Sequence, residues 1–192
     1  MAATPRELLV DPVPDHPLLA GRVEIGRGEN TIVLDGDVVD GQAHVYKVLS
    51  SPTDYAYYTA TDRPTGIHFP VVYGDHGTAG LSSRGYPFHI VEVEKLYPLP
   101  GIGEAAELAG KISSCYFSGC LMWRYLARDM GRIALHHLVV TPNGWTETIQ
   151  KSFKALEDFS DEYQALPDLL KADNLMIRSN GTLVFSDPVF MG

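Results

Sequence analysis

The chain has 192 residues, of which 45% are hydrophobic and 10% aromatic, and its formal net charge at pH 7 is −9. This much apolar material supports a sizeable core, so we expect one globular domain, or one domain with two lobes. Lysine and arginine residues are spread singly, which leaves no basic patch for nucleic acid. A small ligand that carries phosphate stays compatible with this charge, because it needs only one or two local cations and some backbone N–H groups.

The sequence also indicates where the protein works. No apolar run reaches the roughly 20 residues that a membrane span needs, and the first twenty residues lack the apolar core of a signal peptide. Cys115 and Cys120 lie five residues apart in a predicted helix, on different faces, which argues against a disulfide. We therefore expect no membrane partner and a reducing cytoplasm.

A glycine-rich turn follows a proline-rich lead-in over residues 1–20. Strand-like runs at 22–25 and 30–34 flank Gly26 and Gly28, and a second turn is predicted at 35–37. Two glycines one residue apart let backbone N–H groups close over a phosphate. The alternative is a hairpin turn whose geometry needs glycine conformations.

A third strand is predicted at residues 43–49, with Val45, Lys47 and Leu49 on one face. A lysine among apolar neighbours on a strand is unusual. One interpretation is an edge-strand lysine that reaches water. The other is a ligand-binding lysine, which its position directly after the glycine turn favours.

A short helix is predicted next, over residues 51–61, with Ser51 or Thr53 as its cap and Asp54 in its first turn. An apolar run at 69–73, a polar loop through Gly85 and a strand at 88–96 follow. A proline- and glycine-rich segment then separates the strand pattern from a helical one. We place the lobe boundary there, which gives a lead-in at 1–20, a first lobe at 21–97 and a second at 98–192.

Two helices are predicted in the second lobe. Apolar residues recur at helical spacing over 104–130, with Gly131 as the end of that helix. The same spacing continues over 146–166, where Pro167 stops the second helix.

The last twenty-five residues carry the most specific local signal. Two apolar runs, 175–177 and 183–185, flank Asn180–Gly181, which predicts a β-hairpin with a type I′ turn. Asn174 precedes the first strand and Asp187 follows the second, so the hairpin brings both side chains to one end. An amide oxygen and a carboxylate are suitable ligands for Mg²⁺.

In this order, the parts resemble those of a protein kinase. The chain is most similar to the early serine/threonine protein kinase of T-seven-like bacteriophages, from about residue 21 to the end. Three segments carry that resemblance: Asn174-Leu175-Met176, Ser179-Asn180-Gly181 and Asp187-Pro188-Val189. It implies an α+β, bilobal, protein-kinase-like fold, with an antiparallel sheet in the first lobe and a small, mostly helical second lobe that ends in a β-hairpin.

The resemblance also implies a nucleotide site. Gly26 and Gly28 would cover the phosphates of ATP, and Lys47 would hold the α- and β-phosphates as a catalytic lysine. The segment that includes Glu94 and Leu96 resembles the hinge, where backbone groups would meet the adenine. ATP and Mg²⁺ are the cofactors that this family uses.

The metal and base positions follow from the same resemblance. Asn174 and Asp187 would bind Mg²⁺, and Asp168 would be the catalytic base. Kinases place this base five residues before the asparagine, whereas Asp168 is six before Asn174. Asp54 takes the place of the glutamate that usually orients the lysine, and Asp173 is either a solvated turn residue or the next acid to test as the base.

We therefore expect a kinase that transfers the γ-phosphoryl group of ATP to Ser or Thr hydroxyls of host proteins in the host cytoplasm. The alternative is a kinase-shaped pseudoenzyme that binds and inhibits a host protein. The shifted Asp168 favours it, as does the absence of an activation segment, which we expect because the chain ends five residues after Asp187. The sequence does not predict the oligomeric state.

Two further sets of side chains suggest other kinds of site. A metal hydrolase would use His89, His136 and His137, but adjacent histidines on a helix point about 100° apart. Trp123 and Trp145 are interpreted as packing residues, not as a platform that stacks nucleic-acid bases.

Overall fold

The computed structural model describes residues 11–141 and 144–191; the first half of the predicted lead-in lies outside the described residues. A five-stranded antiparallel sheet fills the N-terminal part, in the spatial order β1-β2-β3-β5-β4. One helix, α1, crosses between β3 and β4. These elements are β1 (Glu24–Arg27), β2 (Thr31–Val39), β3 (Gln42–Leu49), α1 (Pro52–Thr59), β4 (Val72–Leu81) and β5 (Pro87–Glu94).

The C-terminal part is mainly helical and ends in short strands that form two antiparallel pairs, β6 with β9 and β7 with β8. The predicted α+β class, with an antiparallel sheet followed by helices and a hairpin, is confirmed. No helix in the described part of the chain is both long and apolar enough to cross a membrane. The elements are α2 (Glu104–Met122), α3 (Met130–Val140), α4 (Glu147–Glu162), β6 (Ala165–Pro167), β7 (Leu175–Ile177), β8 (Leu183–Phe185) and β9 (Val189–Met191), with 3₁₀ turns at Arg124–Asp129 and Ala172–Asn174.

Side-chain caps define the first turns of two helices. Ser51 Oγ accepts the backbone N–H of Asp54 at 3.3 Å, so of the two predicted caps of α1 it is Ser51 that acts. Thr146 Oγ1 accepts the N–H of Ile149 at 3.3 Å and begins α4. Both bonds satisfy N–H groups that a helix cannot pair internally.

The predicted turn at residues 35–37 is wrong. These residues continue β2, and the register against β3 shifts between Asp35 and Val38. Gly36 permits this irregularity, because a Cβ there would lie 2.7 Å from the carbonyl oxygen of His44. The reversal comes at Asp40–Gly41, which have φ of 51° and 78°, as a two-residue type I′ turn requires.

The terminal hairpin is present, but its predicted type I′ turn is wrong. Strand β7 pairs with β8 in the expected place, with Ile177 opposite Leu183. Of the two central residues only Gly181 has a positive φ, of 83°. Arg178 O accepts the N–H of Gly181 at 2.9 Å, and Arg178 N donates to Thr182 O at 3.0 Å. This is a three-residue loop that ends in a glycine bulge.

The first predicted helix is in fact two helices. Helix α2 ends at Met122, and the 3₁₀ turn after it contains Ala127 with φ 47° and ψ −104°, which breaks the helical path. Gly131 lies inside α3 and does not end a helix. It is small because α2 and α3 approach closely there: a Cβ at Gly131 would lie 2.7 Å from Tyr116 Oη.

Two other boundaries differ from the prediction. Helix α4 ends at Glu162, and Gln164 follows with φ 51°, so Leu166 belongs to β6 and faces Phe190 of β9. The predicted polar loop before Gly85 is largely the strand β4. Its sequence does not show the alternation of apolar and polar residues typical of a strand, because it contains glycines and its register against β5 shifts three times.

The two faces of the sheet pack against different partners. Val45 and Leu49 of β3 face the main core, which the helices and the hairpin complete. The intervening Tyr46 and Val48 face a smaller core on the outer side, which Leu19 from the lead-in helps to cover. The period-two alternation predicted for β3 is confirmed, and it points Lys47 inward, toward the helical part.

Candidate functional site

A cavity of about 410 Å³ lies between the inner face of the sheet and the terminal hairpin. Strands β1 to β3, the segment after β5 and the ends of the hairpin all contribute to its wall. Six predicted site residues line it: Gly26, Gly28, Lys47, Glu94, Leu96 and Asp187. Asp168 and Asn174 are not among the residues of this wall. Asn174 is hydrogen-bonded to Asp168 and, through its backbone, to Ser186, which does line the cavity.

Gly26 and Gly28 line the cavity at positions where the fold itself does not require glycine. Neither has a positive φ. A Cβ at Gly26 would lie 3.7 Å from Val33 Cβ, and one at Gly28 would lie 3.9 Å from Thr31 O, which are ordinary contact distances. The interpretation as a turn that needs glycine conformations is therefore wrong. What the missing side chains do provide is an open backbone beside the cavity.

Lys47 lies on the central strand of the sheet and is only 8% exposed, so the edge-strand interpretation is wrong. Its Nζ donates a hydrogen bond to Tyr58 Oη at 2.5 Å and lies 4.8 Å from the centre of that ring. Among the described residues it has no ion pair with Asp54, the predicted partner. The residue of α1 that is hydrogen-bonded to Lys47 is therefore a tyrosine and not an aspartate.

Asp54 is buried on the same helix, and its Oδ1 has no hydrogen-bond partner among the described residues. Burial, followed by the negative charge of Asp187, raises the pKa of Asp54 from 3.8 to about 7. The positive charges of Lys47 and Lys171 act in the opposite direction. Asp54 is thus a carboxyl group that takes up a proton near neutral pH.

Asn174 and Asp187 are held together by the backbone of the hairpin ends. Ser186, next to Asp187, donates its N–H to Asn174 O at 2.8 Å. Asn174 Nδ2 donates to Asp168 O at 2.7 Å, so Asn174 Oδ1 is the atom left for a ligand. Burial raises the pKa of Asp187, while Lys47 and Lys171 lower it.

The donor set of this pair fits a hard cation. Asp187 Oδ1 is buried and has no hydrogen-bond partner among the described residues. A carboxylate oxygen and an amide oxygen are the kinds of ligand that Mg²⁺ uses, and the backbone bond from Ser186 to Asn174 brings the two residues to the same end of the hairpin. Asn174 and Asp187 are the residues that would hold it.

Asp168 is occupied by its own loop. Its Oδ1 accepts the N–H of Leu170 at 3.0 Å, and Oδ2 lies 3.7 Å from Lys171 Nζ. Its backbone N–H donates to Pro188 O at 2.7 Å, directly after Asp187. The negative charge of Asp168 raises the pKa of Asp187, so the two carboxyl groups are close enough to repel each other. Asp173, by contrast, is exposed and lines the cavity.

The segment after β5 is tied down on both sides of Leu96. Lys95 donates its N–H to Ala43 O at 2.8 Å, and Tyr97 exchanges two backbone bonds with Ile177 of the hairpin. The Glu94 side chain accepts the N–H of Val71 at 2.9 Å and is ion-paired with Arg178. The carboxylate of Glu94 is therefore committed to structure, as expected if only backbone groups there contact a ligand.

The histidines of the hydrolase alternative do not converge. His136 is paired with Glu157 at 2.6 Å, and His137 contacts the hydroxyl of Thr141 one helical turn later. His89 stacks on Tyr55, with ring centroids 3.8 Å apart. Within residues 11–141 and 144–191, no group of three His, Cys, Asp or Glu side chains is placed to hold a metal ion.

Trp145 is a packing residue, as predicted. Its ring lies edge-on to Phe153 at 5.4 Å, against the main core. Trp123 is half-buried beside Tyr125 and is not part of the cavity wall.

The sequence did not reveal the roles of Tyr58, which lines the cavity, and of Arg178, which pairs with Glu94 of its wall. Tyr58 lies one helical turn after Asp54, so the i, i+4 spacing places both on one face of α1, and this spacing was an available signal. Nothing local in the sequence marks the pairing of Arg178 with Glu94, which are 84 positions apart.

Comparisons with known proteins identify no family. No family model matches the chain, and no curated protein matches it. One solved structure that it resembles is a thermostable mutant of aminoglycoside phosphotransferase APH(4)-Ia in its apo form. The identity is 14% and the TM-score 0.34, over 89% of this chain and 68% of that one. At that TM-score the likeness has no weight for the activity of this chain, which rests on its own site.

Proposed function

We propose that this chain is an ATP- and Mg²⁺-dependent phosphotransferase of the protein-kinase type. One observation carries the proposal: the glycine pair, the strand lysine, the segment after β5 and Asp187 line the same cavity of about 410 Å³. A cavity of this volume lies within the range of small-molecule sites. Its wall combines a cation, an acid and open backbone, which is the chemistry that a nucleotide with its metal requires.

Each of these residues has a physical role in that reaction. Gly26 and Gly28 leave their backbone open to the phosphates, and Lys47 Nζ supplies a positive charge to them. The backbone groups around Leu96 contact the adenine of the nucleotide. Phosphoryl transfer depends mostly on positioning and on electrostatic stabilisation, and these residues supply both.

The remaining roles belong to the loop between β6 and β7 and to the end of β8. Asn174 and Asp187 would hold Mg²⁺, which would supply positive charge against the phosphates of the nucleotide. Asp168 orients the acceptor hydroxyl and takes its proton. For this, Asp168 gives up its weak contact with the exposed Lys171 and turns toward the cavity.

We propose further that the acceptor is a Ser or Thr hydroxyl of a host protein, and that the protein acts as a phage kinase in the host cytoplasm. The support is the resemblance of residues 167–192 to the early kinase of T-seven-like bacteriophages, at Asn174-Leu175-Met176, Ser179-Asn180-Gly181 and Asp187-Pro188-Val189.

A second candidate function has its own observation. Asp168 does not line the cavity, and its carboxylate is already bonded to Leu170 N–H. A chain that binds nucleotide without a base in the cavity would act by occupying a host protein, as a pseudoenzyme.

Labelled ATP separates the two candidates. The purified protein is incubated with γ-labelled ATP, Mg²⁺ and a bacterial host lysate, and label is measured in each protein band. We expect label in the wild type and its loss in Lys47→Ala and in Asp187→Ala. Lys151→Ala, on the exposed face of α4, is the matched control and should label as the wild type does. Absence of label from every band, the protein itself included, would reject the kinase and favour the pseudoenzyme.

A further inference from the structure

The hydrogen bonds around Lys47 form a chain with a fixed direction. Lys47 Nζ donates to Tyr58 Oη at 2.5 Å, and Tyr58 Oη donates to the carbonyl oxygen of Ser186 at 2.5 Å. An ammonium group has no lone pair and a carbonyl oxygen has no proton, so the phenol has to accept from the first and donate to the second. Tyr58 is fully buried, which raises its pKa well above 10 and keeps the phenol protonated.

This chain of bonds connects the sheet with the residues proposed to hold the metal. Ser186 precedes Asp187, and its own N–H donates to Asn174 O at 2.8 Å. A movement of Tyr58 therefore moves either the amine of Lys47 or the backbone that carries Asp187. The two parts of the cavity wall, which come from β3 and from the end of β8, are linked through one side chain of α1.

The neighbouring tyrosine shows what a purely structural contact looks like here. Tyr57 is also fully buried on α1, and its Oη donates to Phe185 O at 2.6 Å. It anchors the same helix to the last residue of β8, one position before Ser186. Tyr57 has no contact with Lys47 among the described hydrogen bonds, and the two rings meet edge to face at 5.1 Å.

We propose that Tyr58 is the positioning residue of Lys47, a neutral bridge that sets the distance between the amine and Asp187. The inference deepens the proposed function, because its catalytic consequence depends on Lys47 binding phosphate. The bond itself does not depend on it. A phenol in this position leaves Lys47 without a hydrogen-bonded carboxylate, so its positive charge remains available to a polyanionic ligand.

The test compares Tyr58→Phe with Tyr57→Phe. Each variant removes one hydroxyl from α1 and keeps the ring, so both lose a bond to a backbone carbonyl and both thermal midpoints should fall. Only Tyr58→Phe also removes the acceptor of Lys47 Nζ. The deciding readout is the rate at which an amine-directed acylating reagent modifies Lys47 in the ligand-free protein, measured by mass spectrometry. Relative to the wild type, we expect this rate to change at least threefold in Tyr58→Phe. In Tyr57→Phe it should differ from the wild-type rate by less than 50%. Equal rates in the two variants would overturn the inference.

Nucleotide affinity extends the test and separates it from the proposed function. If the wild type binds MgATP, Tyr58→Phe should raise the Kd about tenfold and Tyr57→Phe should raise it less than twofold. Equal weakening in both variants would mean that Tyr58 is only structural. If the wild type does not bind MgATP, the proposed function fails, and the acylation rates still decide whether Tyr58 positions Lys47.

A second measurement approaches the same bond from Lys47 and does not depend on the folding of the Tyr58 variant. Protein labelled with 3-fluorotyrosine is compared with its Lys47→Met variant by ¹⁹F NMR. At least one resonance of a buried tyrosine should move, because the phenol loses its donor. A spectrum in which no tyrosine resonance moves would overturn the inference.

Discussion

Arg178 and Glu94 form a bidentate ion pair that joins the turn of the terminal hairpin to the last residue of β5. Arg178 Nη2 lies 2.6 Å from Glu94 Oε1, and Arg178 Nε lies 2.7 Å from Oε2. The same guanidinium donates to the carbonyl oxygens of Ile67 and Phe69. The side chains are 19% and 11% exposed. One arginine thus connects the hairpin, the end of the sheet and the loop before β4.

Arg178→Ala should strongly destabilise the protein. The substitution leaves the Glu94 carboxylate in a poorly solvated place with only the Val71 N–H, and breaking such a pair typically costs about 3–5 kcal/mol. Arg178→Lys should recover only part of this, because an ammonium group cannot make the bidentate contact. Denaturant unfolding measures both, with the exposed Arg124→Ala as control. A loss in Arg178→Ala no larger than in the control would show that the pair contributes little.

The carboxyl group of Asp54 should make stability depend on pH. Burial and the charge of Asp187 raise its pKa in the folded state to about 7, against 3.8 in the unfolded chain. The folded state therefore binds this proton more tightly. The contribution to the free energy of unfolding is complete below about pH 4 and is lost as the pH rises through 7.

Asp54→Asn is the substitution that tests this dependence. Between pH 5 and pH 8 the wild type should lose about 2–3 kcal/mol relative to Asp54→Asn, as follows from the change in pKa. Asp40→Asn, in the exposed turn between β2 and β3, is the control and should follow the wild type. Urea unfolding at several pH values gives the comparison. Parallel curves for the wild type and Asp54→Asn would mean that Asp54 is ionised throughout.

Alanine at three glycines should separate a ligand-facing role from a structural one. Gly26→Ala and Gly28→Ala place a methyl group in ordinary contact, so the free energy of unfolding should change by less than about 1 kcal/mol. Gly36→Ala drives a Cβ to within 2.7 Å of the His44 carbonyl oxygen, and should cost about 1–3 kcal/mol.

The affinity for MgATP should show the reverse order. A methyl group at Gly26 or Gly28 stands in the wall of the cavity, and we expect the Kd to rise at least fivefold in one of the two variants. Gly36 is not among the residues of the cavity wall. The folded fraction of Gly36→Ala should therefore bind MgATP with the wild-type Kd. Calorimetric titration measures the affinities. Unchanged binding in both Gly26→Ala and Gly28→Ala would remove the glycine turn from the nucleotide site.

Several features that depend on local rules were predicted correctly from the sequence, although the types and positions of two turns were not. Strand β3 alternates because each of its faces meets a core, and α1 begins at Ser51 because the hydroxyl satisfies a free N–H group. The hairpin position followed from Asn180–Gly181. These features depend on residues within a few positions of one another.

The predictions failed where distant contacts determined the outcome. The glycine at position 131 predicts a helix end, but the residue is small because Tyr116 lies against it. The glycine-rich composition of β4 predicts a loop, but its pairing with β5 holds this segment as a strand although it has little strand propensity of its own. The resemblance to kinases implies Asp54 as the partner of Lys47, yet the side chain bonded to the amine is Tyr58. Which of two residues on one helix face makes a contact depends on packing that sequence spacing alone does not specify.

Asp168→Asn is the substitution that distinguishes a working base from a structural aspartate. Asparagine keeps an oxygen that accepts the N–H of Leu170, so the loop and the affinity for MgATP should both persist. It cannot take a proton from an acceptor hydroxyl, and the rate of phosphoryl transfer should therefore fall about 10²- to 10⁴-fold. Single-turnover transfer from labelled ATP measures the rate, and Asp173→Asn, on the exposed side of the same loop, is the matched variant. A large loss in Asp173→Asn with little in Asp168→Asn would assign the role of catalytic base to Asp173, which already lines the cavity. In that case the six-residue spacing from Asp168 to Asn174 would mean that a different aspartate is the base, and not that the loop holds Asp168 in the usual role by bulging.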